Sequence, residues 1–415
     1  MRRLLGPEAF NDPHPLYAGL REAGALHEVP HFGATLTRFS DVRNLLFDRS
    51  LKVSSEAAKP GTAHALIKDL LPEDLRALPA PLFLQDDPVH KRLRKLVAPA
   101  FSQKSIDALE TEISAIADTL IDAMLAHSSV EIVDSFAAPL PARVICRILG
   151  VEAEDAKNFR AWSEAVINEL HPLATAPQRE AAIDAHRRLV AYFQGELTAR
   201  RHARGNGLLG ELARAAFERG ELEEGEAVSL CVNLLVAGHY TTTDLISNLV
   251  HLLLLNPQER AKLDAEPDLW PAAVEEALRF EPPTPLLARI CPASGQRFGR
   301  DFEQGEAINV FIAAANRDPR AYAAPDCFNV TRSHRPHLSF GGGAHYCLGA
   351  PLARAEARIA VARLFERAPL MQLAKDPIAW RRSRSFRGLS RLHVRLQTPS
   401  PRPRAGRGMA LPAIV

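Results

Sequence analysis

From Glu226 to Leu255 the chain reads as one long helix, stopped by Asn256-Pro257. At 1.5 Å per residue it is about 45 Å long, enough to cross a whole molecule, so the other elements must pack around it. Its middle, Ala237-Gly238-His239-Tyr240-Thr241-Thr242-Thr243, is poor helix. The glycine and three β-branched residues each cost propensity, and threonine hydroxyls can bond back to the i−4 carbonyl and bend the axis. Two readings stand: a functional weak spot in a buried helix, or a packing glycine at a helix crossing.

Other segments show the same three- and four-residue spacing, at 106–125, 183–201 and 349–365. Strand-like stretches are short: Leu26 to Val29 with Ala34 to Thr37, and Arg391 to Leu396. With no fixed repeat and no long linker, the fold class expected is mostly α with small β-sheets, one domain over residues 1–398. The Pro-, Arg- and Gly-rich tail, 399–415, is expected to be disordered.

The 51 basic and 49 acidic side chains leave a net charge of +2. No global field argues for nucleic acid, and a charged partner must be recognised by a local patch. The opening Met-Arg-Arg-Leu-Leu-Gly-Pro has no apolar signal stretch behind it, and no apolar run reaches membrane-spanning length. The expected location is therefore cytoplasmic, with no transmembrane segment. Cys146, Cys231, Cys291, Cys327 and Cys347 are odd in number and scattered, which fits neither a disulfide framework nor a zinc site. Each is by default a small buried hydrophobe.

One cysteine stands apart, in Phe340-Gly341-Gly342-Gly343-Ala344-His345-Tyr346-Cys347-Leu348-Gly349. Three consecutive glycines permit positive φ or close approach to something flat, and an amphipathic helix begins after Gly349. A thiolate there would feel the positive end of that helix and accept hydrogen bonds from free amides, which is expected to lower its pKa. A packing cysteine in a Gly-rich loop is the other reading.

The pattern F-x-x-G-x-x-x-C-x-G resembles the haem-binding loop of the cytochrome P-450 family. Glu276-Ala277-Leu278-Arg279 is similar to the family's E-x-x-R, two side chains on one helix face. Arg332, in Phe-Asn-Val-Thr-Arg, would complete the family's buried Glu-Arg-Arg cluster, and Asn316-Arg317-Asp318-Pro319 resembles a segment between them. Asp12 to Tyr17 and the Ala-Gly-His-x-Thr-Thr run resemble the bacterial soluble members, so the likeness covers about residues 10–398. The resemblance implies a helical triangular prism around one haem b, with the long helix over its distal face.

It also implies roles. Cys347 is the axial iron ligand, a thiolate whose electron donation favours O–O cleavage. His90 and Arg94, matching H-x-x-x-R, together with Arg289 and His345, contact the haem propionates, while Ala237 and Gly238 face the haem. His337 is read as structural. Thr241 matches the family's hydroxyl for oxygen activation, but the acid that normally precedes it is Tyr240 here, a phenol that cannot readily cycle protons. Asp244 is the candidate replacement acid, linked to Thr241 through water. Pairing of Asp244 with an arginine is the competing reading.

The activity implied is that of a haem-thiolate monooxygenase, using O2 as co-substrate. No flavin or iron–sulfur domain is attached, so electrons come from a separate ferredoxin and ferredoxin reductase, docking on Lys91, Arg92, Lys95 and Arg354. A peroxide-driven or non-hydroxylating oxidase on the same scaffold is the alternative, and a non-catalytic haem sensor the third. The resemblance makes 57–83, 158–182 and 283–287 substrate-facing. The mostly apolar Pro282 to Ala288 points to a lipophilic small molecule of natural-product or terpenoid type.

Overall fold

The computed structural model describes residues 8–396 apart from 30–32, 61, 63–64, 66–70, 153–154, 168–173, 202–206, 334–335 and 384. The tail from Pro399 lies outside the described residues, as do parts of two of the substrate-facing segments. The principal helices are α1 (His14–Ala23), α2 (Phe39–Phe47), α3 (Val89–Val97), α4 (Glu110–Leu125), α5 (Pro139–Leu149), α6 (Ala156–Val166), α7 (Ala176–Ala199), α8 (Gly207–Phe217), α9 (Glu224–Leu255), α10 (Trp270–Phe280) and α11 (Ala350–Arg367).

The strands of the two larger sheets are short: β1 (Leu26–Val29), β2 (Gly33–Leu36), β3 (Ser129–Glu131), β4 (Leu286–Ile290), β5 (Ala307–Phe311), β6 (Gln372–Leu373) and β7 (His393–Arg395). One sheet has the order β1-β2-β5-β4, with β2 and β5 parallel and the outer pairs antiparallel. A second, antiparallel, has the order β3-β7-β6. β4 and β5 are strands that the apolar pattern alone did not mark. The main apolar core surrounds α9, and a smaller one, including Leu45, Leu46, Ile308 and Val310, lies between α2 and the first sheet.

α9 is the expected long helix, 32 residues, starting two residues earlier than the apolar pattern suggested. The early start comes from a reciprocal cap: Glu223 and Glu226 each satisfy an otherwise unpaired amide of the first turn. At the other end the Asn256 side chain donates to the Leu252 carbonyl at 2.8 Å. Because α5, α6, α7, α8, α10 and α11 all pack on it, α9 is apolar nearly all round rather than amphipathic. Its weak middle stays helical, with Thr241, Thr242 and Thr243 donating to the carbonyls of Ala237, Gly238 and His239 at 3.0, 3.1 and 3.0 Å. A Cβ on Gly238 would lie 3.2 Å from Ile145 Cδ1, so this glycine lets α9 cross close to α5.

Candidate functional site

The Cys347 loop leads from a single 3-10 turn, Gly343–His345, into α11. It is closed by a hydrogen bond from the Cys347 amide to the Phe340 carbonyl, 2.9 Å. Gly341 and Gly343 adopt φ of 70° and 66°, conformations that L side chains resist. A Cβ on Gly342 would come within 2.6 Å of the Phe47 ring, and one on Gly343 within 2.8 Å of the Leu46 carbonyl. At Gly342 and Gly343 the close approach is thus to the end of α2, to the Phe47 ring and the Leu46 backbone.

Cys347 keeps accessible surface, yet desolvation is the first influence on its thiol. The two fit together if the sulfur lines a concave wall. Burial pushes the thiol pKa up, against the amides of Gly349 and Ala350 and the charges of Arg94 and Arg354. The expected depression is therefore reversed: desolvation outweighs the helix end and the arginines, and a cation bound at the sulfur would favour the thiolate.

Four basic groups gather beside this loop. The His90 and His345 rings lie 4.2 Å apart, and Arg94 donates to the Tyr346 carbonyl at 2.7 Å. Arg289 is buried and donates only to the Ala288 carbonyl, 2.8 Å, among the described residues. Burial lowers the Arg289 pKa to about 10. Burial, then His90, Arg289 and Arg94, lowers that of His345 to about 4. The counter-charge comes from two acids, the largely exposed Asp87, 3.3 Å from His90 Nδ1, and Asp86, which acts on Arg289 and His90. Four mutually repelling cationic or basic groups with so little counter-charge fit an anionic guest, and the two carboxylates of a haem meet that need.

Below the loop, Arg279 binds Glu276 through two bonds of 2.7 and 2.8 Å, and Arg332 Nε lies 3.1 Å from both Glu276 oxygens. Arg279 also donates to the Asn316 carbonyl. A second brace was not foreseen. Arg354 binds Glu275 at 2.6 and 3.0 Å, donates to the Tyr346 hydroxyl and stacks over Phe340. His337 Nε2 is 3.3 Å from Glu275, whose pKa falls to about 2 through His337 and Arg354 despite burial.

On α9, Ala237 is exposed and Thr241 half-buried within an otherwise buried stretch, so these two, one turn apart, face open space. Tyr240 and Asp244 do not join them. Tyr240 packs edge-on against Phe386, with the Arg381 guanidinium 4.3 Å over its ring. Burial, then Asp244, pushes its pKa up to about 12. Asp244 has no exposed surface and sits 3.1 Å from Arg381, so close to Gly388 that a Cβ there would overlap its carboxylate. The expected water link from Asp244 to Thr241 is replaced by this closed ion pair. Arg381, Gly388 and Glu275 escaped the sequence reading, as did Glu356, buried with both carboxyl oxygens unpartnered among the described residues.

The family model for cytochrome P450 matches residues 74–370. The chain belongs to the cytochrome P450 family. It is 37% identical over 401 residues to cytochrome P450 107B1 of Saccharopolyspora erythraea, covering 94% of this chain and 96% of that protein. To the 6-deoxyerythronolide B hydroxylase of the same organism it is 34% identical, covering 93% and 96%. A myxobacterial cytochrome P450 crystallised with myristic acid superposes with a TM-score of 0.88 at 35% identity, covering 96% of this chain and 99% of that one. This cytochrome P450 is therefore a monooxygenase with haem iron as cofactor and O2 as co-substrate. No helix among the described residues is long and apolar enough to cross a membrane.

Proposed function

We propose that this cytochrome P450 hydroxylates a lipophilic small molecule, taking electrons from a separate ferredoxin and its reductase. The observation that carries the reading is the accessible Cys347 beside the only partly compensated group His90, Arg94, Arg289 and His345. Bound there, haem supplies reductive activation of O2 and oxygen insertion into a C–H bond. Cys347 would hold the iron, and the four basic groups would bind the propionates. Ala237 lets the α9 backbone come close, and Gly238 maintains the crossing with α5 that sets the height of this face.

Thr241 Oγ1 is the group placed to hold a proton, and to use it there the hydroxyl must leave or share its bond to the Ala237 carbonyl. Tyr240, buried with its pKa near 12, holds its proton, and Asp244 is sealed behind it. Protons then reach Thr241 through water along the accessible face of α9. That Tyr240 stands where an acid would precede Thr241 also favours a second reading, a peroxide-driven or non-hydroxylating oxidase. Product formed per NAD(P)H consumed separates the two.

The test of the site is the ferrous carbonyl spectrum. Wild type should show the red-shifted Soret band of thiolate ligation, and Cys347→Ser should lose it. A band unchanged in Cys347→Ser overturns the assignment.

A further inference from the structure

We propose that the substrate is a slender lipophile ending in a carboxylate, and that Arg76 binds that carboxylate at the rim of the cavity. The proposal rests on the monooxygenase reading above and narrows its substrate class.

The cavity lies between the 71–84 segment, α6, α7 and α9, with walls that include Leu75, Leu78, Pro81, Leu84, Val166 and Val236. At about 150 Å³ it is small for a ligand cavity, which suits a chain that extends beyond it along α9 better than a bulky fused ring system. Its α9 wall is Ser229, Val232, Asn233 and Val236, spaced i, i+3, i+4 and i+7 on one face. Ala237 and Thr241 continue α9 toward the open stretch described above. From Ser229 to Thr241 is about 18 Å along the axis, so a ligand that reaches from the Ser229 end of the cavity to Thr241 is long.

No carboxylate lines the cavity among the described residues, and Arg76 is the one arginine or lysine that does. It is exposed and forms no hydrogen bond or ion pair among the described residues. Nearby guanidinium groups are already engaged: Arg187 binds Asp74 at 2.8 and 3.0 Å, and Arg188 binds Asp184 at 2.7 Å. A free planar guanidinium over an apolar slot matches a ligand with an apolar body and an anionic end, because the fork can bind a carboxylate through two parallel bonds. The carbon oxidised would then lie far from the carboxylate.

The experiment is a titration of the haem-loaded enzyme at low salt with dodecanoate and, separately, methyl dodecanoate, reading the low- to high-spin Soret shift. Dodecanoate should bind about tenfold more tightly than the ester, the gain of one charge-assisted contact. Arg76→Gln should bring the acid down to the ester's affinity without weakening the ester, and Arg76→Lys should keep most of the preference. Equal affinities, equal weakening of both ligands in Arg76→Gln, or no shift with either ligand would each overturn the proposal. The ferrous carbonyl band of the same preparations keeps the two readings apart. Its loss from wild type would defeat the monooxygenase reading, whereas an intact band with no preference for the acid defeats only the role of Arg76.

Discussion

A carboxylate taken into a protein interior is destabilised unless its partner offsets the lost hydration. Asp244 is such a group: Arg381 stands 3.1 Å away, yet burial prevails and raises its pKa from 3.8 to about 6. Because the folded pKa lies above the unfolded one, the folded chain binds the proton more tightly, and the cost of ionisation appears as pH rises through that interval and persists above it. A shift of this size corresponds to about 3 kcal/mol. Wild type should therefore lose up to about 3 kcal/mol relative to Asp244→Asn as pH rises from about 4 to about 7, measured by urea unfolding at each pH. A pH-independent difference would show that Arg381 cancels the burial. The same variant tests the closed geometry, for Asp244→Asn should leave coupling of NAD(P)H to product near wild type, while Thr241→Ala should release peroxide.

At the level of elements, α10 is anchored by two adjacent acids in unlike surroundings, Glu276 to Asn329 and Arg332, and Glu275 to Arg354 of α11 and through it to Tyr346 of the Cys347 loop. Glu276 is buried and holds two arginines, whereas Glu275 is partly accessible and shares Arg354 with Tyr346. Removing the charge of Glu276 leaves two guanidinium groups without their acid, one of them fully buried, so Glu276→Gln should cost about 3–5 kcal/mol. Glu275→Gln should cost about 1–3 kcal/mol. The denaturant midpoint for loss of the thiolate-type Soret band should follow that order, and a reversed order would refute the assignment of the main support to Glu276. The E-x-x-R pair, the cysteine loop and the span of α9 were legible because each is a local pattern within one element or one turn. β5 was not: Ile308 to Phe311 is buried throughout, Asn309 included, and a short buried stretch without alternating burial cannot be told from buried helix. Nor could spacing reveal that Asp244 lies on the Cα of Gly388, or that Arg381 rather than water faces it, since these contacts join distant parts of the chain.

Across the whole molecule the near-neutral charge provides no steering field, so a redox partner must be recognised by a patch. Of the four cations expected to form it, two are consumed internally. Arg92 binds Glu226 and the Glu221 carbonyl, fastening α3 to the start of α9, and Arg354 is held by Glu275 and Tyr346. Lys91 and Lys95 remain, one turn apart on α3, both exposed and unpaired among the described residues, with the Tyr346 ring 40% exposed on the cysteine loop. An acidic ferredoxin docking there should reduce the enzyme at a rate that falls as salt rises from about 0.1 M to about 1 M, where the Debye length shrinks from about 10 to about 3 Å. Lys91→Glu with Lys95→Glu should slow reduction at low salt and flatten the salt dependence in stopped-flow traces. Arg92→Gln should leave that dependence as in wild type and instead lower the unfolding midpoint, because its charge already belongs to the α3–α9 junction. If the double lysine variant keeps the wild-type rate and salt slope while Arg92→Gln loses both, the docking surface centres on Arg92, and its bond to Glu226 must open when the partner binds.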